Sequence, residues 1–127
     1  MSPYRILCIS NDQALLNSRT AVLRRAGYRV TSTMDHSAAL ELLAGDRRQF
    51  HAVIIGHSVP RAHRDEVAAA ARRSHVAVLV TCAQDEGRAT PADAYVEALS
   101  GPQTLLSSLA SLLNWRLSAK DADGTAA

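Results

Sequence analysis

Residues 51–60 read HAVIIGHSVP. Ala52-Val53-Ile54-Ile55 is an unbroken apolar run, and the chain turns polar through Gly56-His57-Ser58 before Pro60. A strand that is apolar throughout, rather than alternating, is buried on both faces, as in parallel sheets covered by helices. In such sheets sites lie outside the carboxyl ends of the strands. The run therefore predicts a central strand, and the polar residues after it predict the mouth of a site. Gly56, at the centre of that mouth, has no side chain.

The rest of the chain repeats this pattern. Residues 4–9 (YRILCI) predict a buried strand that ends at Ser10-Asn11-Asp12. Leu15, Leu16, Val22, Leu23 and Ala26 have helical spacing, and Gly27 stops them. Residues 28–31 predict a second, weaker strand. A helix capped by Asp35 or Ser37 follows and ends at Gly45. Residues 62–73 are alanine-rich helix material, and 76–80 (VAVLV) predict a fourth strand. Residues 95–97 predict a short fifth strand. Leu105, Leu109, Leu112 and Leu113 then lie on one helical face behind Pro102. This β-α alternation predicts an α/β doubly wound parallel sheet with helices on both faces. The domain is expected over residues 4–117, with 118–127 (SAKDADGTAA) a polar disordered tail.

Composition narrows the function. A chain of 127 residues is one domain, long enough for a core without disulfides or metal. A net charge of +2, with arginines scattered as pairs (Arg24-Arg25, Arg47-Arg48, Arg72-Arg73), does not predict nucleic-acid or membrane binding. Cys8 and Cys82 form neither a disulfide framework nor a zinc-finger spacing. No signal peptide or spanning segment is visible, so a cytoplasmic location is expected. No nucleophile–base pair or phosphate-cradling glycine loop appears, so an enzyme is not expected.

On these stretches the chain resembles the receiver domain of response regulators in two-component signal transduction and phosphorelays, with its chemotaxis-protein-like, flavodoxin-like fold. The resemblance is carried by ILCISND at 6–12, HAVIIGHSVP at 51–60, VAVLVTCA at 76–83 and ADAYVEALSGPQTLL at 92–106. It implies five strands in the order 2-1-3-4-5. Tyr95 falls at the family's aromatic switch position. Only residues 83–93 separate the fourth strand from the fifth, so the family's fourth helix is expected to be shortened or missing.

The resemblance implies a phosphorylation pocket whose chemistry is absent. Ser10 and Asn11 stand where two acidic residues would hold Mg²⁺, and only Asp12 is acidic. Gly56 stands where an aspartate would accept phosphoryl. Cys82 stands at the hydroxyl position, with Thr81 one step earlier. Ala98 replaces the lysine, and Leu99 follows where a proline is usual. Glycine offers no nucleophile. One carboxylate beside neutral Ser and Asn makes a weak Mg²⁺ site, and no cation is left on the fifth strand to balance phosphoryl charge. The expectation is an atypical pseudo-receiver without cofactor, its Mg²⁺ binding weak or lost and its pocket reduced to plain surface. It would act by protein–protein interaction, with a histidine kinase, a regulator or a second copy of itself. Leu106, Leu113, Trp115 and Leu117 on the last helix, with Thr81 and Tyr95, form the expected switch and interface set. Two alternatives stand beside this reading: phosphorylation at Asp12 as a displaced acceptor, and a metal or redox sensor built from Asp12, His57 and Cys82.

Overall fold

The structure is a computed structural model that describes residues 4–45, 50–83, 90–98 and 100–126, with side chains as far as Trp115. Its elements run β1 (Arg5–Ile9), α1 (Gln13–Arg25), β2 (Arg29–Thr33), α2 (His36–Ala44), β3 (Ala52–Ile55), α3 (Arg61–Arg73), β4 (Ala77–Cys82), β5 (Ala94–Glu97) and α4 (Pro102–Ala126). The five strands lie in the order β2-β1-β3-β4-β5. All neighbouring pairs are parallel, as the alternating pattern predicts.

Strand alternation sorts the core into two layers. Leu7, Ile9, Val53, Ile55, Val78, Val80 and Cys82 face α2 and α3, meeting Leu43, Val67 and Ala71. Ile6, Cys8, Ile54, Leu79 and Val96 face α1 and α4, meeting Leu16, Leu23, Leu109 and Leu113. Burying a side chain of this size stabilises by about 1.5–3 kcal/mol, so these two apolar stripes hold the helices to the sheet. β2 is the polar edge, largely exposed. Asp12 and Asp35 cap α1 and α2 by accepting from the backbone N–H groups of Leu15 and Ser37. At the end of α1, Gly27 takes φ 98°, a left-handed conformation suited to glycine.

The expected shortening or loss of a helix between β4 and β5 falls mainly on residues 84–89, which lie outside the description. So do the Arg47-Arg48 pair and Leu99. α4 extends to Ala126, so the stretch from 118 onward, expected as a tail, continues the helix backbone. Its Ala, Lys and Asp content is compatible with helix, and no glycine or proline intervenes before Gly124. No helix among the described residues is long and apolar enough to cross a membrane.

Candidate functional site at the carboxyl end of the sheet

The register brings the strand ends together. Ile9 pairs with Ile55, and Ile55 with Val80. The next residue along each strand is therefore Ser10, Gly56 and Thr81, side by side. By strand alternation these three, with Ala98 beyond Val96, point to the face that carries α1 and α4. The site is the place where those four positions meet α1.

Ser10 is buried, and its Oγ shares a 3.0 Å hydrogen bond with Ser58 Oγ. Ser10 Oγ also accepts from the Asp12 N–H at 3.1 Å, and Ser58 Oγ accepts from the Asn11 N–H at 3.0 Å. Two hydroxyls thus tie the turn after β1 to the loop after β3, in the place the resemblance assigns to acidic ligands. The Asn11 residue is exposed. Asp12 Oδ1 accepts from the Leu15 N–H at 3.1 Å, so its carboxylate is engaged as the cap of α1.

Gly56 donates its N–H to Ile9 O at 2.8 Å. A Cβ on Gly56 would lie 3.0 Å from Arg19 Nη1, 3.1 Å from Ile9 O and 3.2 Å from Ser10 Cβ. The place of an acceptor side chain is therefore taken by a guanidinium arriving from α1. Arg19 is only 8% exposed, and its Nη1 has no hydrogen-bond partner. Burial presses its pKa below the ordinary value, opposed by the nearby Cys8 and Asp12. Arginine still remains charged at neutral pH. Beyond it, a cavity of about 180 Å³ opens among Arg19, Thr81, Glu97, Ala98, Gly101 and Pro102.

The loop after β3 is held from both sides. The His57 N–H donates to Thr81 Oγ1 at 2.9 Å. Thr81 is therefore the hydroxyl at the site. Cys82, read from the sequence as standing at that position, turns into the α2/α3 layer, because one step along a strand reverses the face. On the other side, buried Arg64 (3% exposed) donates from Nη1 to Val59 O at 3.1 Å and from Nε to Thr90 Oγ1 at 3.3 Å. His57 Nδ1 and Arg64 Nη2 are buried without partners. Burial and the Arg19 and Arg64 charges push the His57 pKa below its usual value, with Asp12 pulling the other way. Asp12, His57 and Cys82 form no ligand group: among the described residues no three His, Cys, Asp or Glu side chains could hold a metal ion. Cys8 is core, its thiol pushed up to about 11 by burial.

Ala98 lines the cavity beside Arg19, so the cation at the site comes from α1 and not from β5. Tyr95 turns its hydroxyl inward, donating to Thr90 O at 2.8 Å and accepting from the Ala92 N–H at 3.1 Å. Leu113, expected at an interface, is core, because it shares the buried stripe with Leu105, Leu109 and Leu112. Leu106 is half-buried against the same layer. Trp115 is 58% exposed, and the Leu117 side chain lies outside the description. Arg19 and Arg64 were not singled out from the sequence, and Ser58 only as part of the polar stretch after β3. The available signal was a charge inside an apolar stripe: Arg19 lies at helical spacing from Leu15, Leu16, Val22 and Leu23, and Arg64 from Val67 and Ala68.

No family profile matches the chain, and no curated protein matches it. Solved structures do. A receiver domain protein (CheY-like) from Methanospirillum hungatei JF-1 is 21% identical at a TM-score of 0.77, covering 93% of this chain and 99% of its own. Chemotaxis protein CheY4 from Vibrio cholerae is 21% identical at a TM-score of 0.71, covering 87% and 99%. The receiver domain of sensor histidine kinase PA1611 from Pseudomonas aeruginosa PAO1, solved with a magnesium ion coordinated in its active-site cleft, is 19% identical at a TM-score of 0.74, covering 89% and 99%. With the strand order β2-β1-β3-β4-β5 and these likenesses over most of its length, the chain has the fold of CheY-like response-regulator receiver domains.

Proposed function

We propose that the chain is a receiver-like signalling module that works without accepting a phosphoryl group and acts through protein–protein interaction. The observation that carries this reading is Arg19 against Gly56. The acceptor's place holds a buried cation, which also opposes Mg²⁺ by like-charge repulsion. The remaining chemistry agrees. Ser10 and Ser58 bond to each other, the Asp12 carboxylate is spent on the cap of α1, and no cation extends from β5 at Ala98.

The partner is a signalling protein, a kinase or a regulator, or a second copy of the chain. The surface in question is the side of α4 and β5 that carries exposed Trp115, beside a groove of about 430 Å³ lined by Ala94, Ser111 and Leu112. Aromatic residues are favoured at interface centres. The test is recovery of partners on the tagged chain from its own cells, with and without added Mg²⁺ and acetyl phosphate. The expected result is one partner set retained equally in both conditions and weakened by Trp115→Ala. Recovery that depends on the phosphodonor would overturn the reading.

A further inference from the structure

The buried, unpartnered side-chain nitrogens among the described residues are Arg19 Nη1, His57 Nδ1 and Arg64 Nη2. His57 lies in the field of both guanidinium groups, and Arg19 is the one of the three that lines the cavity beyond the strand ends. Buried polar groups are ordinarily satisfied, and a native exception calls for a missing water or ion. A buried cation with no counter-charge is costlier still. Neither arginine has an ion pair among the described residues, where the one salt bridge is the exposed Arg61–Asp65 contact. The acidic residues near the site, Asp12 and Glu97, are exposed, and Asp12 is bonded to the α1 backbone.

We propose that this end of the sheet is an oxyanion site, in which the Arg19 guanidinium and the Thr81 hydroxyl hold a small tetrahedral anion of the phosphate or sulfate class without a covalent bond. Arg19 presents a planar fork of donors suited to oxyanions. Thr81 Oγ1 accepts from His57 N and keeps its own proton to donate. Both residues line the cavity, and the start of α4 at Gly101 and Pro102 adds the positive end of a helix. At about 180 Å³, the cavity lies below the roughly 300–1,000 Å³ of drug-sized pockets. It admits a small inorganic anion and not a nucleotide. Glu97 on the rim opposes binding and keeps it weak. The proposal goes beyond the loss of phosphoryl transfer, since it concerns reversible occupancy of the cavity beside the acceptor's place.

The experiment is an amide NMR titration of the full chain with sodium sulfate and with inorganic phosphate, against sodium chloride at matched ionic strength. Saturable shifts at Gly56, His57 and Thr81 are expected with both oxyanions and not with chloride. Arg19→Met is expected to weaken binding about tenfold or more, and Arg19→Lys, which keeps the charge without the fork, by less. Glu97→Gln is expected to tighten it severalfold. Absence of saturation in the wild type, or equal curves for wild type and both Arg19 variants, would overturn the site. The intact mass under denaturing conditions separates the two readings: a covalent adduct after acetyl phosphate defeats the absence of phosphoryl transfer and leaves the sulfate result standing.

Discussion

Arg19 Nη1 lies 3.0 Å from the point where a side chain on Gly56 would begin. The glycine and the arginine are therefore one feature: the missing side chain makes room for the guanidinium, and the guanidinium fills the space. Gly56→Ala is expected to cost about 1–3 kcal/mol by overpacking, because Ile9 O and Ser10 Cβ are also within 3.2 Å of the added atom. Gly56→Asp is expected to be less destabilising than Gly56→Asn, since the carboxylate meets an unpaired cation. Urea unfolding of the three variants checks the ranking. Gly56→Asn at least as stable as Gly56→Asp would remove the electrostatic explanation.

Replacing Arg19 separates charge from shape. Arg19→Met keeps most of the packed stem and removes a buried unpaired charge, so stability in chloride buffer is expected to stay level or rise by up to about 2 kcal/mol. Arg19→Ala also empties the volume and is expected to lose about 1–3 kcal/mol. A large loss in Arg19→Met would mean that the guanidinium is satisfied by a group that stabilises the fold.

The assignment of Thr81 to the site, and of Cys82 to the core, is tested by a pair of substitutions. Thr81→Val removes the acceptor of the His57 N–H. It is expected to cost about 1–2 kcal/mol and to move the His57 amide resonance. Cys82→Ala is expected to leave that resonance in place and to cost stability through the α2/α3 layer. Reversed effects would exchange the two assignments.

His57 is held below its ordinary pKa by burial and by Arg19 and Arg64, with Asp12 opposing. The unfolded chain then binds a proton more readily than the folded one. His57 thus costs nothing above the unfolded value of about 6.5 and destabilises the fold as pH falls through it toward the lower folded value. NMR titration of the imidazole is expected to show a midpoint below 6.5 that rises in Arg19→Met. A midpoint at or above the unfolded value would contradict the cationic surroundings.

The fold was legible because its signals are local and repeated. Residues 52–55 and 76–80 are apolar throughout, and glycines or prolines mark the helix ends. Gly56 and Ala98 were legible as losses, because each can be placed at a strand end. What filled the space was not. Arg19 comes from a helix, and its approach to Gly56 depends on tertiary packing that strand spacing does not encode. Thr81 and Cys82 were exchanged for a related reason: adjacent residues at a strand end face opposite layers, and an error of one residue reverses the assignment. Leu113 was placed both on the apolar face of the last helix and in the interface set, because two lines of leucine on one helix leave open which line faces the sheet.

Loss of phosphoryl transfer is tested most directly by the intact mass of the protein after incubation with Mg²⁺ and acetyl phosphate, with its amide spectrum recorded before and after addition of beryllofluoride. The expected result is an unchanged mass and no Mg²⁺-dependent change of the Gly56, His57 and Thr81 resonances on addition of beryllofluoride. A mass increase of one phosphoryl group, released by hydroxylamine and abolished by Asp12→Asn, would contradict it and make Asp12 the acceptor.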